Sequence, residues 1–558
     1  MTANGVKEEV SDTVPIPAGE VKGGPELIFG FVGAIGTDLN SLADILAHAL
    51  EEVSYSCEMV EVIELLRGME NFNLDSSTAN EEERIRVRMN EGDRLRRVLE
   101  RKDALAILSV IAIRASRELS TGSPNRPRRG HAYVLKSLKH PAEAEKLRKI
   151  YGLRFVLIGA YSPRETRRGD LIEKLSASHG KPESGDACET IGSVADELIE
   201  RDEEDVGNEY GQKLGETFPL ADFFIDLSRS NAMQEVQRFV ALLFQNPFHT
   251  PKIDEYGMFH ARGAAVRSAD LGRQVGAAIV TPDRELVALG TNEVPKAYGG
   301  LYGPEDENEQ RDFVLGYDSN DMMKRTILLD LLENLARKAA TDPTKGALEA
   351  ELKTWMKLAS DDARAFMQDM QLRNVLEFGR GLHAEMAALM DAVKRGVSVH
   401  GCILYTTTFP CHNCAKHILA AGIGEVVYIE RYAKSLVADL YGDSVVIDDP
   451  ETNLKVNFRP FVGVAPRRYL DLFAVGQDDR KLNGKILSWP RAGTLRQLSY
   501  GMPTTLFAEQ EAIKKFCENL KAPFGFKKGR LETQVQQVEQ DVEAWPEWMR
   551  EEAGFSIP

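Results

Sequence analysis

The chain has 558 residues, a formal net charge of −17 at pH 7 and six cysteines. This length is enough for two large domains, each with a buried core. Proteins that track along DNA or RNA need a basic surface, so the acidic charge argues against a polynucleotide as the substrate.

Targeting signals are weak in this sequence. Residues 1–25 are polar, contain Pro and Gly, and lack the apolar segment of a secretion signal. The longest apolar run, residues 104–113, has about half the length of a membrane span. Few cysteines in a long chain suit a reducing compartment. We therefore expect a disordered tail at 1–25, a cytoplasmic location and no membrane contact.

The first chemical pattern is a strand, a glycine-containing turn and a helix over residues 27–52. This context is typical of a P-loop, in which backbone amides at a helix N-terminus hold phosphates. The P-loop pattern G-x-x-x-x-G-K-[ST] begins at Gly33 and then fails, because Asp38 and Leu39 replace its second Gly and its Lys. An Asp without that Lys weakens ATP binding, so the pattern alone is weak support for a phosphate site. The candidate phosphate-binding residues of the turn are Gly33, Gly36, Thr37, Asp38 and Asn40.

Apolar runs at residues 130–141, 153–159 and 221–227 predict further strands of a parallel sheet in an α/β domain. The second run precedes a cluster of arginines at the carboxyl end of a strand, where ligands bind in open α/β sheets. The cluster is either a phosphate-clamping lid or a solvated helix face. It consists of Arg164, Arg167 and Arg168. Residues 26–235 thus resemble a P-loop nucleotide kinase domain, for which ATP or another nucleotide is the candidate ligand.

The most specific pattern is His383-Ala-Glu385 followed by Pro410-Cys-His-Asn-Cys414. It matches the H-x-E…P-C-x-x-C signature of zinc-dependent base deaminases. His383, Cys411 and Cys414 would fill three tetrahedral zinc positions and leave the fourth for water, whose pKa zinc lowers to about 7. Glu385 is not a ligand and would carry protons. The alternatives are a structural zinc site, which usually has four protein ligands, or cysteines that are simply buried.

The surroundings of this signature fit a known order of elements. Residues 274–280 and 285–290 predict a hairpin, 381–394 a helix, 397–405 a strand and 424–430 another strand. Pro410 can start a second helix between the last two strands. The order is strand, strand, helix, strand, helix, strand, which is the cytidine-deaminase order within an α/β/α domain.

This region, residues 245–475, resembles the deoxycytidylate deaminases. The resemblance rests on Arg273-Gln-Val-Gly-Ala, Thr291-Asn-Glu-Val-Pro-Lys296, the zinc signature and Val426-Val-Tyr428. It implies that the loop containing Asn292 and Lys296 contacts the sugar and phosphate of a nucleotide. It also implies that residues after the last motif strand line the same pocket, namely Arg431, Tyr432 and Lys434. Taken alone, the two basic side chains of this group are ordinary solvated charges.

One departure from the family pattern is a long helical insertion at residues 304–378. It could act in allostery, in oligomerisation or as a lid. The interpretation that we favour is a helical hairpin packed on the deaminase core. Residues 476–558 are predicted to form a C-terminal helical extension.

A kinase-like P-loop domain followed by a deoxycytidylate deaminase domain resembles the bacterial antiviral cytidine deaminases. That resemblance implies deamination of dCTP and dCMP to dUTP and dUMP, which depletes the dCTP pool needed by phage. It further implies regulation through the P-loop domain, an inhibitory small RNA and a homo-oligomer.

Two other functions stay open. One is a housekeeping bifunctional nucleotide kinase and dCMP deaminase of pyrimidine salvage. The other is an RNA-binding regulator or a polynucleotide deaminase, for which the basic segments 126–129 and 527–530 are candidate contacts.

Overall fold

The structure is a computed structural model. It describes residues 24–74, 80–179, 185–203, 205, 208–341, 345–367, 370, 372, 375, 377–432, 435–448, 454–476, 480–489, 502–520, 525–527 and 529–543. Most of the tail predicted at 1–25 therefore lies outside the described residues. Among the described helices, none is both long and apolar enough to cross a membrane.

The strands of the described residues are β1 Leu27–Gly33, β2 Ser56–Glu61, β3 His131–Lys136, β4 Phe155–Tyr161, β5 Phe223–Asp226, β6 Gly276–Val280, β7 Leu286–Thr291, β8 Ile403–Thr408, β9 Glu425–Glu430, β10 Val445–Ile447, β11 Val456–Pro460, β12 Gly463–Val464, β13 Lys481–Leu482 and β14 Lys485–Ile486.

The α-helices are α1 Leu39–Glu51, α2 Glu81–Val98, α3 Ala104–Thr121, α4 Pro141–Tyr151, α5 Arg164–His179, α6 Gly185–Glu203, α7 Leu214–Thr217, α8 Ala232–Leu243, α9 Ile253–Ala265, α10 Asp312–Leu315, α11 Ser319–Ala340, α12 Gly346–Asp361, α13 Ala363–Phe366, α14 Ala384–Arg395, α15 His412–Ala420, α16 Val437–Tyr441, α17 Tyr469–Phe473, α18 Met502–Glu518 and α19 Arg530–Glu543.

The chain forms two compact units, one made of residues 1–252 and 462–558 and the other of residues 253–461. The first unit contains a six-stranded sheet with the order β12-β5-β4-β1-β3-β2. Strands β1 to β5 are parallel, and β12 pairs antiparallel with β5. The central strands are uninterrupted apolar runs because both faces of a parallel sheet are buried. The predicted α/β class is confirmed, whereas the kinase-like identity of this unit stays a prediction.

The end of the second domain differs from the prediction. Residues 245–475 were expected to form one domain, followed by a separate extension at 476–558. In the structure the second unit ends at Phe461, because the next strand, β12, pairs with Phe223 and Phe224 of the first unit. The helices of the extension pack on α3, where the buried Arg117 binds both Glu26 and Glu509. The described residues between 462 and 543 therefore complete the first unit.

The sheet of the second unit has the order β10-β11-β9-β8-β6-β7. Strands β6 and β7 form the predicted antiparallel hairpin, and α14, β8, α15 and β9 follow in the predicted order. Strand β8 begins at Ile403, later than predicted, because Gly401 has a φ of +73° and donates its amide to Gly422 instead of joining a strand. Helix α15 begins at His412 and not at Pro410.

The insertion contains helices, as expected, but its packing differs from the favoured interpretation. Its buried apolar side chains form a hydrophobic core of their own, made of Leu328, Leu332, Ala336, Ala339, Leu352, Ala359 and Met367. The core around the predicted zinc residues is a separate cluster. In the described residues, α11, α12 and α13 pack mainly on one another. The hairpin is thus stabilised internally, because each of its helices has an apolar stripe facing the other.

Candidate active site

Helix α14 holds two of the predicted site residues at its N-terminus. His383 is the N-cap residue, and Glu385 lies in the first turn. The helix packs directly on β7, where a Cβ added to Gly290 would stand 2.0 Å from the carbonyl oxygen of Ala384. A glycine at this position therefore permits the close approach that fixes the start of α14 over the sheet.

Helix α15 supplies the two cysteines from the opposite side. Cys411 is its N-cap residue and Cys414 lies one turn later, so both sulfurs are on the same face of its first turn. The ring Nδ1 of His383 lies 3.3 Å from the Sγ atoms of both cysteines. The three donors converge as the spacing predicts, and all their ligand atoms lie within 4.8 Å of one another.

The donor set fits zinc. Tetrahedral zinc, with bonds of about 2.3 Å to sulfur and about 2.0 Å to nitrogen, requires a nitrogen-to-sulfur separation of about 3.5 Å. The observed separations of 3.3 Å are close to that value. In the described residues no fourth His, Cys, Asp or Glu joins the group, which suits a catalytic rather than a closed structural site.

Protonation of the three donors is uneven. A hydrogen bond from Cys414 lowers the pKa of Cys411 to about 4. The hydrogen bond with Cys411 raises the pKa of His383 to about 9. Cys414, as the donor to Cys411, has a raised pKa, and its burial acts in the same direction. Cys411 is therefore a thiolate at neutral pH, whereas His383 and Cys414 must release protons when a metal binds.

Glu385 is placed to carry protons beside this group. Its side chain is only 4 % exposed, and its Oε2 lies 3.4 Å from the Sγ of Cys414. Burial raises the pKa of Glu385. A raised carboxyl pKa suits a group that must accept and return a proton near neutral pH.

The predicted substrate loop lies beside His383. Asn292 is buried, its Oδ1 accepts the Val275 amide at 2.7 Å and its Nδ2 donates to the Arg273 carbonyl at 2.7 Å. The amide of Leu382, the residue before His383, donates to the carbonyl of Glu293. Asn292 thus holds the loop in shape, and the loop is joined to the start of α14.

Lys296, at the end of that loop, has a carboxylate partner. Its ammonium lies 2.5 Å from Asp306 Oδ1, and the amide of Gly303 donates to the other oxygen of Asp306. The Lys296 side chain is about one-third exposed. A ligand phosphate would therefore compete with Asp306 for this ammonium group.

The segment after β9 reaches the cysteine helix. Ser435 Oγ donates to the carbonyl of Pro410 at 2.8 Å. The Tyr432 ring lies under the guanidinium of Arg273, at 5.2 Å. Burial, with the nearby Cys411 adding to it, raises the pKa of Tyr432. Of the other two predicted substrate residues, Arg431 is exposed and Lys434 lies outside the described residues.

Two contributors to this site belong to the motifs quoted from the sequence but were given no role there. Arg273 provides the guanidinium over Tyr432. Glu293 is buried, accepts the amides of Ala269 and Val294, and lies 3.7 Å from Arg311 of the insertion. A charged residue inside a motif gives no sign of its burial, so the sequence offered no signal for Glu293.

The turn between β1 and α1 lies between a strand and a helix, as predicted, and its role as a P-loop stays a prediction. Gly33 ends β1, and Gly36 has a φ of +88°. Asp38 caps α1 by accepting the amides of Asn40 and Ser41 at 3.1 Å each. The side chain of Asn40 accepts a hydrogen bond from Lys136, and the hydroxyl oxygen of Thr37 is buried without a partner among the described residues.

The predicted arginine cluster divides between two roles. Arg168 forms a bidentate pair with Asp196 of α6, and Arg164 lies within 4 Å of Asp196 and Glu200. The guanidinium of Arg167 is buried and contacts the turn itself, through the carbonyl of Ile35 at 3.4 Å. Arg164 and Arg168 thus connect α5 to α6, and Arg167 is the arginine at the turn.

Comparison with known proteins shows which family and which enzymes the second unit is similar to. Residues 251–430 match the family described as "Cytidine and deoxycytidylate deaminase zinc-binding region". Human deoxycytidylate deaminase is 32 % identical over 111 residues, which are 20 % of this chain and 54 % of the human protein. The mouse enzyme is 26 % identical over 34 % of this chain and 67 % of its own length. The enzyme of phage T2 is 43 % identical over 10 % of this chain and 29 % of its own.

The chain thus spans about half of the human enzyme and less of the phage enzyme. Among solved structures, the dCMP deaminase of cyanophage S-TIM5 in complex with dCMP and dUMP is 20 % identical, with a TM-score of 0.21, over 38 % of this chain and 98 % of that one. Residues 251–430, which contain the convergent His383, Cys411 and Cys414, therefore match the zinc-binding region of the cytidine and deoxycytidylate deaminases.

Proposed function

We propose that this protein is a zinc-dependent hydrolase that deaminates deoxycytidine nucleotides, converting dCMP and dCTP to dUMP and dUTP. One observation carries the proposal. His383, Cys411 and Cys414 converge with near-tetrahedral spacing, and the buried Glu385 lies 3.4 Å from Cys414. A structural zinc site is usually closed by four protein ligands and does not need a buried carboxyl that is not a ligand.

In this reaction water adds to C4 of the cytosine, and the bond from C4 to the exocyclic nitrogen breaks to release ammonia. Zinc held by His383, Cys411 and Cys414 would supply Lewis-acid activation of the water. Glu385 would accept a proton from the water and give it to N3 of the ring. It would then accept the second proton, from the hydroxyl now on C4, and deliver it to the departing amine, so that ammonia leaves, the C4 carbonyl forms and the carboxylate is regenerated.

The preference for a nucleotide rests on the surroundings of the site. Lys296 offers an ammonium group whose present partner, Asp306, is also an oxyanion. Several related proteins are named deoxycytidylate deaminases. The net charge of −17 disfavours a polynucleotide. Together these features support a free deoxynucleotide monophosphate or triphosphate as the substrate.

Ammonia release by the purified, zinc-loaded full chain tests the proposal, with dCMP, dCTP, CTP and single-stranded DNA offered separately. We expect activity on the deoxynucleotides and a decrease of about 1,000-fold in Glu385→Gln, because the proton carrier is lost. Zinc content should not change, since Glu385 is not a ligand. Glu285→Gln, an exposed position beside the β6–β7 turn, is the matched control. Equal rates in Glu385→Gln and the native protein would refute the catalytic role.

The wider role that we propose is depletion of dCTP during phage infection, controlled through the first unit and by an inhibitory small RNA, in a homo-oligomer. The dCTP content of infected cells carrying the native chain or Glu385→Gln tests the first part. Sequencing of co-purifying RNA tests the second, and light scattering tests the third. Unchanged dCTP in cells with an enzyme active in vitro would remove the defence role and leave nucleotide salvage.

A further inference from the structure

The turn between β1 and α1 already contains a carboxylate from elsewhere in the chain. The amide of Ile35 donates to Asp202 Oδ2 at 2.7 Å. The ammonium of Lys139 lies 2.8 and 3.0 Å from the two oxygens of Asp202, and 2.9 Å from the carbonyl of Gly33. Asp202 is 1 % exposed. Its negative charge is therefore bound by the backbone of the turn and by a lysine.

These donors are the kind that bind phosphate in a turn between a strand and a helix. Backbone amides and the helix N-terminus favour an anion, and a lysine adds a point charge. The sequence lacks a lysine within the turn, where Leu39 stands. Lys139, which follows the neighbouring strand β3, brings an ammonium to the same turn. The turn is therefore equipped for an anion, and Asp202 is the anion that it holds.

Both sides of this arrangement are firmly held. The amide of Lys139 donates to the buried carboxyl of Glu143, and its carbonyl accepts the amide of Lys213. On the other side, Arg167 contacts the Ile35 carbonyl and pairs with Glu203, the neighbour of Asp202 on α6. The C-terminal end of α6 thus holds both peptide groups that flank Ile35, the first directly through Asp202 and the second indirectly through Glu203 and Arg167.

We propose that Asp202 is a resident anion which closes the P-loop-like turn, and that the turn takes up a nucleotide's phosphates only after α6 withdraws this carboxylate. A phosphate and Asp202 would need the same amide and the same ammonium, and two anions at that distance repel each other. The proposal concerns the first unit and stands apart from the deaminase reaction. It makes the end of α6 the element that controls whether this unit responds to nucleotides.

The test is calorimetric titration of the full-length protein with ATP and, separately, with inorganic pyrophosphate. We expect weak binding by the native protein. In Asp202→Asn, which keeps the shape and removes the charge, binding should tighten about tenfold or more, because the binding-competent fraction increases. Adding Lys139→Met to Asp202→Asn should abolish the gain. Glu200→Gln is the matched control, because it removes an exposed carboxylate of the same helix that lies near Arg164 and not at the turn, and it should leave the affinity unchanged.

The result that overturns the proposal is an equal affinity for pyrophosphate in the native protein and in Asp202→Asn. If Asp202→Asn does not fold, hydrogen exchange at the Ile35 amide of the native protein decides. The proposal expects no change there on adding pyrophosphate, and a changed exchange rate would show that phosphate displaces Asp202 readily and contradict it. No cytosine nucleotide is present in either measurement, so the outcome is independent of the proposed activity.

Discussion

The two candidate sites of this chain differ in what satisfies their charges. In the second unit, the ring nitrogen of His383 lies 3.3 Å from each of the two cysteine sulfurs, and the three donors hydrogen-bond to one another. In the first unit, Asp202 and Lys139 neutralise each other inside the turn. A group of donors of one kind keeps its affinity for a cation, whereas a turn that holds an internal carboxylate has little left for an external anion. Both sites lie at the starts of helices, and yet one is free to bind a cation while the other already holds an anion.

The largest expected effect comes from removing a metal donor. In Cys414→Ser, the weaker hydroxyl ligand should reduce bound zinc from about one ion per chain to almost none, because zinc sites depend on thiolate ligands. Metal analysis of the purified protein measures this, with Cys517→Ser, outside the donor group, as control. Full zinc content in Cys414→Ser would mean that these three donors are not the zinc site. The contrast between the two sites would then no longer hold for the second unit.

The next effect tests how tightly the turn is built. In Gly36→Ala the new Cβ would stand 2.7 Å from the carbonyl oxygen of Arg167, at a φ of +88°. We expect a loss of about 2 kcal/mol in stability, measured by chemical denaturation, with no change in zinc content. Gly316→Ala is the control, since its φ is +81° but nothing lies within 4 Å of the added Cβ. An equal loss in both would show that the packing of Arg167 on the turn is unimportant.

A smaller effect distinguishes the role of Lys296. Lys296→Met should raise the KM for dCMP about tenfold, or about 1.4 kcal/mol, and leave the KM for unphosphorylated deoxycytidine unchanged. Steady-state kinetics on both substrates measures the difference. Lys353→Met, which removes an exposed lysine of the insertion, should change neither value. An equal change for both substrates would assign Lys296 to the shape of the loop rather than to phosphate.

The smallest effect is a pH dependence of the first unit. Burial lowers the pKa of His140 to about 4, and its neutral Nδ1 accepts the Ala142 amide at the start of α4. An unfolded histidine binds its proton near pH 6.5, so this contribution to stability is complete above that pH and is lost as the pH falls towards 4. We expect a loss of about 1–2 kcal/mol between pH 7 and 4.5 from this group. His140→Asn, a neutral N-cap, should flatten that slope in thermal denaturation, and an unchanged slope would assign it to other groups.

Much of the fold was predictable where the pattern is local. The apolar runs of β1 and β4 identify buried strands because both faces of each are covered. Strand β2 was not predicted, since it lies at the edge of the sheet and most of its side chains are partly or fully exposed. The return of the chain to the first unit at β12 was also missed, because a strand of two residues has no pattern of its own.

The site residues, too, were predictable only where a local sequence pattern marks them. His383, Cys411 and Cys414 were predicted because their spacing places them at the first turns of two helices. The pair of Asp202 and Lys139 gave no signal, since the two residues are 63 positions apart and belong to common charged types. The pairing depends on how α6 packs on α5 and reaches the turn after β1, which no local pattern encodes.

The first unit is formed by two separate segments of the chain, and this has a consequence for its folding during synthesis. Arg117 is fully buried, and its two carboxylate partners are Glu26 and Glu509, the latter 392 residues further along the chain. At about 5–20 residues per second, a ribosome needs roughly 20–80 s to travel from Arg117 to Glu509. Throughout that time Arg117 has only one of its two carboxylate partners, while all of residues 253–461 emerge. The second unit can therefore reach its final form on the ribosome before the first does.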